Sequence, residues 1–128
     1  MAYLLDTHVL LFAMYSPERL SARTVALLED PAQAVWFSAA SIWEIAIKSS
    51  LGRPDFTASP FAVRDEALAL GFRELPVEAI HAAQVTALPP LHRDPFDRLL
   101  VAQATATGHT LLSTDRQVQQ YPGPVERA

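Results

Sequence analysis

Cysteine is absent from the 128-residue chain, which excludes disulfides, thiolate nucleophiles and zinc–sulfur centres and fits a reducing compartment. Lysine is almost absent: of ten basic residues only Lys48 is a lysine, and the rest are arginines. Acidic residues number 14, giving a net charge of −4. That balance argues mildly against a nucleic-acid partner, unless grouped carboxylates hold cations that reverse the local sign. No apolar run is long enough to span a bilayer. The opening Met1-Ala2-Tyr3-Leu4-Leu5-Asp6 has no basic start, and Asp6 interrupts its apolar run, so no secretory signal is expected. The expectation is a soluble cytoplasmic protein.

What is present is apolar: half of the residues are hydrophobic and 19% are charged, as a folded chain requires. The length suits a single domain over residues 1–128. Tyr3-Leu4-Leu5 reads as a buried strand ending at Asp6. A helix follows from about His8 to Tyr15, broken by Ser16-Pro17. Ser21 caps a helix from Ala22 to Glu29. Ala34 to Ser38 is a second strand. A third helix begins near Ser38 to Ser41, with capping-box spacing between Ser41 and Glu44, and stops at Gly52. Arg53 to Ser59 is a loop. A helix from about Phe61 to Leu70 ends at Gly71, and Phe72 to Leu75 is a weaker strand. Val77 to Leu88 is helical, and Pro89-Pro90 forces a loop. Asp94-Pro95 is an N-cap followed by proline at the first helical position, opening a helix to about Thr107 that Gly108 ends. Thr110 to Ser113 is a fourth strand, a short helix follows Asp115, and Val125 adds an edge strand. Helices alternate with continuous apolar strands, which describes an α/β domain with a mostly parallel sheet covered on both faces.

Five acids stand where chemistry collects. Asp6 and Asp115 each follow a strand, and ligands gather outside the carboxyl ends of such strands. Each also suits capping of the next helix. Glu44 lies inside the apolar Ile42-Trp43-Glu44-Ile45-Ala46-Ile47, where a carboxylate is costly to bury unless paired or metal-bound. It also suits an exposed i,i+4 pair with Lys48. Asp94 suits the N-cap and a pair with Arg98, and Asp97 in the first turn is the better ligand of the two. Grouped carboxylates repel unless a cation compensates, and hard divalent ions such as Mg²⁺ or Mn²⁺ prefer such oxygen sites. Arg93, Arg98 and Arg116 lie beside these acids and are candidate phosphate contacts.

Four segments together resemble a PIN domain, and more closely the VapC-type toxins of bacterial toxin–antitoxin pairs. They are Leu4-Leu5-Asp6-Thr7-His8-Val9-Leu10-Leu11, Ser38-Ala39-Ala40-Ser41-Ile42-Trp43-Glu44-Ile45, His92-Arg93-Asp94-Pro95-Phe96-Asp97-Arg98-Leu99-Leu100-Val101-Ala102-Gln103-Ala104 and Leu111-Leu112-Ser113-Thr114-Asp115. The resemblance spans essentially the whole chain. It implies a three-layer α/β/α sandwich with a parallel sheet of about five strands. It implies a Mg²⁺- or Mn²⁺-dependent ribonuclease, forming a homodimer and silenced by a cognate antitoxin. Carried over, Asp6, Glu44, Asp97 and Asp115 are the catalytic and metal-site acids. Asp94 is an extra acid of the Asp-Pro-Phe-Asp-Arg subgroup, and Thr7 and Thr114 are hydroxyl positions beside the site. An apolar groove for the partner is expected on the helices carrying Leu10, Leu11, Phe12 and Ile42, Trp43, Ile47.

Two other readings compete. A receiver or haloacid-dehalogenase-like phosphatase also sets acids at strand ends, but it places a lysine after a late strand, and none follows Lys48. A degenerate PIN domain serving only to bind a partner would need its acids lost, and all four are present. His8, His81, His92 and His109 lack zinc spacing and read as structural or exposed, with His92 a possible substrate contact. Ser38 and Ser41 read as helix caps.

Overall fold

The computed structural model describes residues 2–128. Five strands form one sheet: β1 (Ala2–Leu5), β2 (Ala34–Ser38), β3 (Arg73–Leu75), β4 (Thr110–Ser113) and β5 (Val125–Arg127). Their order is β3-β2-β1-β4-β5, and every neighbouring pair is parallel. The helices are α1 (Thr7–Tyr15), α2 (Ala22–Glu29), α3 (Ala39–Ser50), α4 (Pro60–Ala69), α5 (Ala79–Gln84), α6 (Pro95–Thr107) and α7 (Arg116–Gln119). Parallel neighbours need crossovers, and the helices supply them.

Side chains that alternate along β1 and β4 build the two halves of the core. Tyr3, Leu5 and Leu112 pack with Val9, Leu10, Phe37, Ile45, Phe56 and Val63, under α1, α3 and α4. Leu4 and Leu111 pack with Leu100, Val101, Val118 and Tyr121, under α6 and α7. The central strands are therefore buried on both faces, which is why they read as unbroken apolar runs. The edge strands β3 and β5 are three residues long and carry charge, which discourages further pairing.

The punctuation read from the sequence sets most helix ends. Ser21 accepts from Thr24 N, Asp94 accepts from Phe96 N and Asp97 N ahead of Pro95, and Gly108 closes α6 at φ 77°. One detail is sharpened and two differ. The cap of α3 is Ser38, whose Oγ accepts from Ala40 N, because β2 turns directly into the helix without a loop. Ser41 consequently lies buried inside α3, and the expected box with Glu44 does not form. The segment after Val77 is shorter than expected: α5 ends at Gln84, and Val85–Ala87 tighten into a 3₁₀ turn before the prolines. Among the described residues, no helix is long and apolar enough to cross a membrane.

Candidate metal centre

Register brings the two strand-end acids together. Leu5 pairs with Leu112, and the Asp6 amide donates to Leu112 O at 3.1 Å. The chain thus leaves β1 and β4 at the same level of the sheet. On the other side of β1, the direct turn from β2 into α3 brings Glu44 to the same edge. The N-terminus of α6 delivers Asp94 and Asp97.

Three of the acids cap helices and still keep an oxygen for other work. Asp6 Oδ1 accepts from Val9 N at 2.8 Å, and Asp115 Oδ1 accepts from Gln117 N at 2.8 Å. Asp94 Oδ1 accepts from Phe96 N at 2.8 Å and from Asp97 N at 3.2 Å. Capping and clustering are therefore compatible, since each role uses a different oxygen.

Glu44 is buried, and both of its oxygens are engaged by the chain itself. Oε1 accepts from the Thr7 hydroxyl at 2.5 Å, and Thr7 is also hydrogen-bonded to Ser41 Oγ at 3.0 Å. Oε2 lies 2.5 Å from Lys48 Nζ. Lys48 reaches on to Asp94 Oδ2 at 3.4 Å. The expected pair between Glu44 and Lys48 exists, but it is buried rather than exposed. The expected partner of Asp94, Arg98, instead donates to Pro89 O, Val85 O and the Tyr121 hydroxyl, which pins the loop before α6.

His92 completes the cluster. Its Nε2 lies 2.8 Å from Asp97 Oδ2 and 3.5 Å from Asp115 Oδ2. One ligand atom from each of these three residues falls within 4.8 Å of the others, which is close enough to surround one cation. The Arg93 amide donates to His92 Nδ1 at 3.0 Å. In the neutral ring the hydrogen therefore sits on Nε2 and points at Asp97.

Burial raises the affinity of two of these acids, Asp97 and Asp6, for protons. Burial pushes Asp97 up to about 7, helped by the charges of Asp94, Asp6 and Glu44 and opposed by His92. Burial pushes Asp6 up to about 6, against hydrogen bonds from Ser113 and Val9 N. Burial opposes the charge on Lys48, but hydrogen bonding to and the charges of Glu44 and Asp94 outweigh it and hold the ammonium above the usual lysine range.

Of the residues singled out in the sequence, Asp6, Thr7, Glu44, Asp94, Asp97 and Asp115 converge here. Arg93 and Arg116 are exposed beside His92 and Asp115 and make no ion pair among the described residues. Thr114 is exposed and lines a different depression, with Arg19, Arg23 and Arg127. Its neighbour Ser113 faces the site instead, buried and hydrogen-bonded to Asp6 and to the Asp115 amide. Strand alternation is the signal that separates Ser113 from Thr114. Lys48 and His92 belong to the site although the sequence suggested surface or structural roles.

A model of the PIN domain matches residues 3–124. No curated protein matches the chain. Among solved structures, VapBC2 of Rickettsia felis bound to a promoter DNA fragment has a TM-score of 0.74 at 17% identity, covering 99% of this chain and 98% of that one. DNA-bound VapBC of Salmonella typhimurium has a TM-score of 0.66 at 18% identity, covering 99% and 98%. VapBC-1 of nontypeable Haemophilus influenzae has a TM-score of 0.65 at 18% identity, covering 100% and 97%. With the family model matched over nearly its full length and the parallel sheet in place, this chain belongs to the PIN domain family.

Proposed function

We propose that this chain is a metal-dependent endoribonuclease, using Mg²⁺ or Mn²⁺, and the toxin of a type II toxin–antitoxin pair. The observation that carries the reading is the convergence of Asp97, Asp115 and His92 within 4.8 Å of one another, beside Asp6 at the same sheet edge, with burial raising the Asp6 and Asp97 carboxyls. The donors are oxygens, which fits a hard divalent ion. Bound there, such an ion supplies a Lewis acid and an activated water for phosphodiester hydrolysis.

The residues around it have separable tasks. Asp6, Asp97 and Asp115 supply ligand oxygens. His92, whose Nε2 lies 2.8 Å from Asp97 Oδ2, orients that carboxylate. Glu44, Thr7 and Ser41 brace the helix pair behind the site. Arg93 and Arg116 on the rim meet the RNA backbone, and they offset the overall negative charge locally. Arg98 braces the loop and is not assigned to substrate.

An active ribonuclease needs restraint, and we assign that to a partner protein in a cytoplasmic setting. A groove of about 560 Å³ is lined by Leu11, Phe12 and Tyr15 of α1, Ile45 of α3, and Phe56 beyond it. It lies only partly where the sequence suggested: Leu10 is wholly buried, and Trp43 meets Phe96 edge to face elsewhere. A similarly folded solved structure from Klebsiella pneumoniae is described as a toxin–antitoxin complex. An arginine of the partner entering the acidic site would displace the ion. A homodimer is part of the same reading. The test is expression of the chain alone and with the small neighbouring reading frame. Growth arrest rescued by the neighbour supports the toxin role. Harmless expression of a folded chain removes that role and leaves the nuclease to be tested in vitro.

A further inference from the structure

The acid cluster divides into two halves that differ in what already neutralises them. On one side, Glu44 and Asp94 share Lys48, with Nζ at 2.5 Å and 3.4 Å. The lysine side chain is only 14% exposed. Its ammonium lies over the Phe56 ring at 5.0 Å and the Phe96 ring at 5.6 Å, so aromatic faces favour the cation and close it in. The remaining Glu44 oxygen takes the Thr7 hydroxyl. Both Glu44 oxygens thus already have partners within the chain, one of them a cation. On the other side, Asp6, Asp97 and Asp115 have no lysine or arginine within ion-pair distance among the described residues. Their neighbours are the imidazole of His92 and the hydroxyl of Ser113.

We propose that Lys48 is a built-in cation standing where a second divalent ion would otherwise bind, so that the site takes one ion per chain, on the half where Asp97 and Asp115 face His92 beside Asp6. This rests on the metal-dependent reading above and fixes its stoichiometry. Glu44 then acts as a positioning residue that holds Lys48 and Thr7. A second ion at Glu44 would have to displace the ammonium or sit against its charge, and like charges so close oppose each other strongly.

The test is Mn²⁺ binding to the purified full chain, counted by calorimetry and by the loss of the free-ion resonance signal. Wild type binds one Mn²⁺. Lys48→Met frees Glu44 and Asp94 and binds two. The double variant Lys48→Met/Glu44→Gln returns to one, because the second site loses its carboxylate. Should Lys48→Met not fold, Lys48→Ala, which likewise frees Glu44 and Asp94, takes its place. Two ions on the wild type overturn the proposal. So does one ion on both the wild type and the folded Lys48 variant, or two on the double variant. No Mn²⁺ on the wild type is a different failure, because it removes the metal reading itself.

Discussion

His92 Nε2 lies 2.8 Å from Asp97 Oδ2, while Nδ1 of the same ring accepts the Arg93 amide. The ring is therefore a donor to Asp97 and fixes the orientation of its carboxylate. His92→Ala removes that orientation and also the one influence that lowers the Asp97 carboxyl's proton affinity. Loss of such an outer partner costs roughly 10- to 100-fold in metal affinity. Calorimetric titration with Mn²⁺ checks this, and unchanged affinity would remove the orienting role.

The pH dependence of the metal-free chain has a definite sign. Asp6 at about 6 and Asp97 at about 7 stand above their ordinary value of 3.8. Between pH 3.8 and about 7 the native chain binds more protons at these groups than the unfolded chain does. Their contribution to stability is complete below that window and is lost as pH rises through it. With chelator present, the melting temperature at pH 8 is thus expected below that at pH 5.5. Asp97→Asn flattens the trend and raises the melting point at pH 8. A wild-type melting temperature that climbs from pH 5.5 to pH 8 contradicts the crowding.

Metal reverses that penalty. Ions compete with protons for the same oxygens, so stabilisation by Mn²⁺ or Mg²⁺ grows as pH rises through about 6 to 7. Scanning calorimetry at millimolar ion checks it. A melting curve indifferent to metal at pH 8 points to a degenerate site.

Much of the fold was legible because its main signals are local. β1, β2 and β4 are buried on both faces, so each is an apolar run, and Ser21, Asp94-Pro95 and Gly108 mark helix ends by their own chemistry. The start of α3 was bracketed between Ser38 and Ser41 because both are competent caps, and only the abrupt end of β2 selects the first and removes the box with Glu44. Asp6 and Asp115 were legible as acids after strands. Lys48 was not, because an i,i+4 pair is the same pattern on a solvated helix and a buried one. Packing against Phe56 and Phe96, which lie far apart in sequence, decides between them. His92 sits in the proline-rich loop before α6, whose course depends on Tyr121 accepting the His92 amide at 2.9 Å. No local signal carries that contact.

The groove and the acidic site should separate genetically. Tyr15 is half exposed on the groove wall, where its hydroxyl bonds Glu66 and none of the acids of the metal site. Tyr15→Asp places a charge on an apolar contact and should weaken partner binding by about 2 kcal/mol, as for a central interface residue. RNA cleavage by the variant stays unchanged. Pull-down and cleavage measured on the same preparation check both halves, and equal loss of the two would instead indicate unfolding.

The most direct measurement is cleavage of end-labelled RNA by the purified chain with Mn²⁺ or Mg²⁺, with chelator, and with ion restored, alongside Asp97→Asn. The predicted result is cleavage with metal, none with chelator, and recovery on adding the ion back. Asp97→Asn, folded by circular dichroism, should fall on the order of a hundredfold or more, since the ion contributes several kcal/mol to the transition state. Cleavage that persists in chelator, or that Asp97→Asn leaves intact, contradicts a metal-dependent ribonuclease built on Asp6, Asp97 and Asp115.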